Sequence, residues 1–171
     1  MGGADAAGLT LKVAAALKFV QGIRFVEFVA GPAFPYHAEL KSLIADAAYD
    51  AGVLSGLPNL LECYLRADLC IVAGGLTMYE VCCVGAPALA VCQPIDHQFE
   101  LAYRLQQAGA MKSAGWGSDL TSGSLADQIL SLSDPYSRET MSKCSREVTD
   151  GNGASRIADM IFELSNREIR A

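Results

Sequence analysis

The stretch from Asp68 to Cys92 reads DLCIVAGGLTMYEVCCVGAPALAVC. Residues 68–73 form an almost wholly apolar run, as expected of a strand buried on both faces. Gly74 and Gly75 end that strand and open a helix predicted over 77–84, which Gly85 and Pro87 stop. Ala88 to Cys92 is a second buried strand. A strand, a glycine turn, a helix and a strand make a βαβ unit, with a parallel sheet and a right-handed crossover.

The same alternation runs outward in both directions. Upstream, the spacing predicts a helix over 9–20, a strand over 24–30 stopped by Gly31-Pro32 and a helix over 36–48. A very short strand at Val53-Leu54 and a helix over 59–66 headed by Pro58 follow. Downstream come a helix over 98–108 closed by Gly109, a short strand over 110–112 and a surface loop over 113–124. Helices over 123–132, 135–148 and 153–168 complete the chain. The expected fold class is α/β: one domain, 1–171, with a Rossmann-like, doubly wound parallel sheet. Met1-Gly2-Gly3-Ala4-Asp5 leads straight into the first helix. In a doubly wound unit such a glycine turn follows a strand. Either the first strand is lacking or something else fills its place.

Composition narrows the function classes. The 171 residues fit a single domain at about 100–200 residues each. With 19 acidic and 13 basic residues the formal charge is −6, which argues against nucleic acid or an anionic membrane as partner. A small anion remains possible, because helix N-termini bind phosphate through backbone N–H groups. The longest apolar run, Val81 to Cys92, is short of the roughly 20 residues of a transmembrane segment, and Asp5 and Lys18 are out of place in a signal peptide. Six cysteines form no CxxC pair and only two histidines accompany them, so no metal site is expected. Cysteines inside apolar runs fit a reducing, cytoplasmic setting.

Three turns could carry chemistry. Gly74-Gly75-Leu76-Thr77 precedes a helix whose N-terminus suits a pyrophosphate, and Glu80, one turn in, could accept hydrogen bonds from sugar hydroxyls. Thr77 and Glu80 also have capping-box spacing, so a purely structural reading stands beside the functional one. Gly2-Gly3 is either a second phosphate-facing turn or a free terminus. Asp96-His97-Gln98 opens a helix after the 88–92 strand, at the strand ends where open α/β sheets bind ligands. There Asp96 is either a ligand contact or an N-cap, and His97 either a base or a surface histidine. Asp150 to Arg156 lacks the third glycine of a dinucleotide fingerprint and reads as a turn. His37 is expected to be structural or exposed, and Cys82-Cys83 to belong to the core. No Ser/His/Asp set or carboxylate pair can be assembled.

Taken in order, MGGAD at 1–5, SGLPNLLECYLRADLCIVAGGLTMYEVCCVGAPALAV at 55–91, DHQ at 96–98 and DGNGASRIADMI at 150–161 resemble the C-terminal domain of GT-B-fold nucleotide-sugar enzymes. The likeness is strongest to the UDP-sugar hydrolase of pseudaminic acid biosynthesis and its relatives in spore coat polysaccharide biosynthesis, within the family 28 glycosyltransferase C-terminal type. The lipid II-forming N-acetylglucosaminyltransferase of peptidoglycan synthesis is a more distant cousin. The resemblance implies a UDP-sugar as substrate ligand, with no cofactor. Gly74, Gly75, Leu76 and Thr77 would face the pyrophosphate and Glu80 the ribose. Ser55, Gly56 and Leu57 would present backbone groups to uracil. Asp96, His97 and Gln98 would approach sugar or ribose, and Gly2 and Gly3 would floor the site. The family's catalytic histidine lies in an N-terminal domain, so the catalytic residue is unknown here, His97 being a candidate. The hydrolases carry Asn at the position of His97, and some glycosyltransferases carry His. The expected activity is hydrolysis of an amino-sugar nucleotide. The alternatives are UDP-sugar-dependent glycosyl transfer and a non-catalytic binding module. The expected partners are an N-terminal domain or partner chain, and a further copy of the chain through an exposed apolar face.

Overall fold

A computed structural model describes residues 1–168. Its elements alternate as the sequence predicts: α1 (Leu9–Leu17), β1 (Phe25–Ala30), α2 (His37–Ala45), β2 (Asp50–Ser55), α3 (Leu61–Arg66), β3 (Cys70–Ala73) and α4 (Leu76–Val84). Then come β4 (Ala88–Cys92), α5 (Asp96–Gln107), β5 (Lys112–Trp116), α6 (Ser122–Leu130), α7 (Pro135–Val148) and α8 (Gly153–Glu168). All strand pairings are parallel.

Strand β4 is the spine of the core. All five of its residues are buried, and period-2 alternation sends them to two different clusters. Leu89 and Val91 pack with Leu9 and Val13 of α1, Leu40 of α2 and Leu125 of α6. Ala88, Ala90 and Cys92 face Met78 and Val81 of α4, Tyr64 of α3 and Leu105 of α5. Helices therefore cover both faces, as in a doubly wound fold.

Three details differ from the sequence reading. The strand expected at Val53-Leu54 runs the full length Asp50–Ser55, because pairing with β1 from Phe25↔Asp50 to Ala30↔Ser55 imposes extension on residues of poor strand propensity. The segment 113–124, expected as loop, contributes most of β5, which is Lys112–Trp116 rather than 110–112. Its pairing to β4 shifts register between Ala90 and Cys92, and Gly115, at φ +87°, takes the irregular step. The third difference is that the strands form a two-stranded sheet, β1-β2, and a three-stranded sheet, β3-β4-β5, rather than one continuous sheet.

The N-terminal turn is built into the fold. A Cβ on Gly31 would lie 2.3 Å from the Gly3 carbonyl oxygen, and that oxygen accepts the Ala33 N–H at 3.2 Å. Asp5, only 3% exposed, accepts the N–H groups of Leu9 at 2.9 Å and Thr10 at 2.7 Å, satisfying the first turn of α1. Along α8, Ile157, Met160, Ile161 and Leu164 are about 60% exposed at helical spacing. No helix among the described residues is long and apolar enough to cross a membrane.

Candidate functional site

The candidate residues sit where parallel strands end. Ser55-Gly56-Leu57 leaves β2, Gly74-Gly75 leaves β3, and Asp96-His97-Gln98 follows β4. Gly2 and Gly3 reach the same side through the contact with Gly31 at the end of β1. Gly2, Gly3, Gly56, Leu57, Thr77 and Glu80 line one cleft. Ligands of open α/β sheets bind at this end of the strands.

The turn between β3 and α4 has a geometry only glycine holds easily. Gly75 caps α4 at φ 114° and ψ −155°. A Cβ there would meet nothing within 4 Å, so the turn faces open space. Gly74 is the opposite case: a Cβ would stand 2.5 Å from both Cβ and Oε1 of Gln98. The missing side chain lets α5 close onto the turn, joining two of the three segments singled out by sequence. Oε1 of Gln98 is buried and accepts no hydrogen bond, so a buried acceptor stands beside the turn with no donor.

Neither expected side-chain cap forms. The N-cap of α4 is Gly75, without a side-chain bond, so the Thr77–Glu80 capping box is not made. Helix α5 is capped by Ile95, and Asp96 lies inside the first turn rather than at the cap. The Glu80 carboxylate is engaged elsewhere: it accepts the Tyr64 O–H at 2.8 Å. Burial and this bond push the Tyr64 phenol well above the usual range, so it stays a donor. Tyr64 is the site residue that sequence reading missed, since sixteen positions separate it from Glu80 and only the packing of α3 on α4 joins them.

No nucleophile emerges. Among the described residues neither His37 nor His97 takes part in an ion pair, and both are exposed. His37 opens α2 and packs edge-on against Phe34 at 5.1 Å. Cys82 is in the core, as expected, and burial raises its thiol to about 11, while Cys83 is exposed. Asp150 forms an ion pair with Arg156 at 2.6 Å, which makes that turn the entry to α8. What the arrangement offers is recognition: a helix N-terminus, an open glycine turn, an oriented carboxylate and a buried acceptor.

Comparison with known proteins identifies the family and the fold. The model of the Glycosyltransferase family 28 C-terminal domain matches residues 26–161. The chain is 29% identical over 172 aligned positions to the spore coat polysaccharide biosynthesis protein SpsG of Bacillus subtilis, covering 99% of this chain and 50% of that protein. It is 30% identical to the UDP-N-acetylglucosamine–N-acetylmuramyl-(pentapeptide) pyrophosphoryl-undecaprenol N-acetylglucosamine transferase of Sorangium cellulosum, covering 75% of this chain and 33% of that enzyme. The crystal structure of Acinetobacter baumannii MurG superposes with a TM-score of 0.85 at 27% identity, over 95% of this chain and 48% of that one. The chain thus spans half or less of these relatives. The likeness to MurG bears out the Rossmann-like α/β class. The expectation of hydrolysis is not supported, because the relative whose name states a reaction is a transferase.

Proposed function

Since the chain belongs to the glycosyltransferase family 28 C-terminal domain family, we propose that it is the UDP-sugar-binding domain of a glycosyltransferase acting in surface polysaccharide or glycan synthesis. The observation that carries this reading is the turn at Gly74-Gly75, with Gln98 closed over it and Glu80 held by Tyr64. The amides of Leu76 and Thr77 face the pyrophosphate at the N-terminus of α4. Negative charge that develops on the leaving diphosphate is stabilised there by the helix dipole. Glu80 accepts the ribose hydroxyls, and Tyr64 positions Glu80. Gln98 accepts a hydroxyl of the sugar or ribose, with Asp96 and His97 beside it. Ser55, Gly56 and Leu57 present backbone groups to uracil, and Gly2 and Gly3 floor the site.

A transfer needs an acceptor and a base, and these come from a second domain or partner chain. The apolar stripe of α8 supports contact with further polypeptide. The chain by itself binds donor without turning it over. Six unpaired cysteines support a reducing, cytoplasmic setting.

The test is a binding titration of wild-type chain and two variants with UDP. Removing the carboxylate in Glu80→Ala is expected to weaken binding roughly 10- to 100-fold, the worth of a charged hydrogen-bond pair. Tyr64→Phe, which only frees Glu80 to rotate, costs less, about 3- to 10-fold. Wild-type affinity in Glu80→Ala would overturn the assignment of the ribose contact.

A further inference from the structure

Strand β5 arrives at the strand-end side of the sheet with its last residue turned over. Ala90 of β4 lies opposite Ser113, but Cys92 lies opposite Trp116, so β5 spends one residue more than β4 over that step. Side chains alternate along a strand, and an extra residue sends those beyond it to the other face. Ala114 packs in the cluster under α1 and α6, whereas Trp116, two positions on, packs in the cluster under α4 and α5. Without the bulge, Trp116 would follow Ala114.

On the face it does reach, Trp116 meets Phe99 of α5. The two rings stack with centroids 4.7 Å apart and planes inclined by 18°, a contact that stabilises beyond the area it buries. Phe99 follows Gln98 directly, so the stack ties the first turn of α5 to the end of β5. The same turn is tied to β4, because the thiol of Cys92 donates to the Gln98 carbonyl at 3.7 Å. It is pressed on the turn after β3 as well, where a Cβ on Gly74 would stand 2.5 Å from the Gln98 Cβ. Three strand ends therefore fix one residue. Its Oε1 is a buried acceptor that meets no donor among the described residues. A glutamine held in this way has little freedom left to lose when a hydroxyl arrives.

We propose that Trp116 and Phe99 are positioning residues for donor recognition and act through Gln98. The bulge in β5 delivers Trp116 to Phe99, and the stack holds the first turn of α5 so that Oε1 of Gln98 stays aimed beside the Gly74-Gly75 turn. The inference rests on the reading of Gln98 as a donor contact and adds the device that aims it.

The experiment has two arms. In the first, UDP-N-acetylglucosamine is titrated calorimetrically into wild type, Gln98→Ala, Phe99→Ala, their double variant, Trp116→Ala and Trp116→Phe. Gln98→Ala and Phe99→Ala are each expected to weaken binding about 3- to 10-fold, and the double variant no more than Gln98→Ala does. Trp116→Ala is expected to match Phe99→Ala, while Trp116→Phe, which keeps a ring against Phe99, stays within about twofold of wild type. Phe99→Leu, which removes the ring but keeps most of the volume, stands in if Phe99→Ala does not fold. Full affinity without the ring, or losses that multiply in the double variant, would overturn the proposal, because Phe99 would then not act through Gln98.

The second arm needs no nucleotide. Trp116 is the one tryptophan of the chain, so its emission reports the stack. Gly74→Ala sets a new Cβ against the Cβ of Gln98, a clash that no side-chain rotation relieves. It is expected to shift the emission of the folded, ligand-free chain. Emission identical to wild type would show that the turn and the stack are uncoupled and would overturn the proposal. Absence of binding by the wild type would overturn the reading of the site, and with it the donor role, while the emission still decides the link between the stack and Gln98.

Discussion

Replacing Gly75 with valine is expected to abolish measurable UDP binding and to lower stability by about 2 kcal/mol. Gly75 holds φ 114° and ψ −155°, a region of backbone space in which side chains are strained by roughly 1–3 kcal/mol, and β-branching adds to that. The strain is conformational, since a Cβ would meet no neighbour within 4 Å. That open space is where the diphosphate is proposed to lie, so the new methyl groups would also block it. Urea unfolding measures the first effect and calorimetry the second. Gly74→Ala is the instructive contrast, because its Cβ would displace Gln98 rather than strain the backbone.

Leu89→Ala separates stability from binding. Leu89 is fully buried in β4, opposite Ile71 of β3 and Lys112 of β5. It packs in the cluster under α1 and α6, away from the strand ends. Truncation leaves a cavity in a rigid core and is expected to cost about 3 kcal/mol, lowering the thermal midpoint by about 10 °C. UDP affinity, measured well below that midpoint, is expected to stay within about twofold of wild type. A matching loss of affinity would mean that the site depends on the core as a whole rather than on its own turn.

The elements that were legible in the sequence share a cause. Strands β3 and β4 lie inside a sheet covered on both faces, so burial writes itself into unbroken apolar runs. Gly85 stops α4 through a left-handed residue, φ 75°, which its identity announces. Strands β2 and β5 were harder because DAGVLS and KSAGW have little intrinsic strand preference, and their extension comes from pairing with β1 and β4.

The site divides in the same way. Its turns were visible because glycines mark them, and the strand-end rule placed them on one side. Their side-chain partners were not visible. Thr77 and Glu80 have the spacing of a capping box, yet Gly75 turns the backbone so that α4 begins without one, and Glu80 goes to Tyr64. Asp5 caps α1 from ahead of Gly8, whose left-handed turn brings the carboxylate back to Leu9 and Thr10. Both pairings depend on how neighbouring segments fold back on each other, which spacing along one segment does not encode. The split between β1 and β3 was foreshadowed by the glycine turn at Met1-Gly2-Gly3, because α1 begins where a doubly wound unit has just completed a strand.

The central claim is that the turn from β3 into α4 is a diphosphate site read together with a uridine. Its most direct test is a calorimetric titration of the wild-type chain with UDP, UDP-N-acetylglucosamine and ADP under identical conditions. Saturable one-to-one binding of both uridine ligands is expected, with ADP at least about tenfold weaker. Absence of heat with all three ligands from a folded chain, or equal binding of ADP, would contradict it.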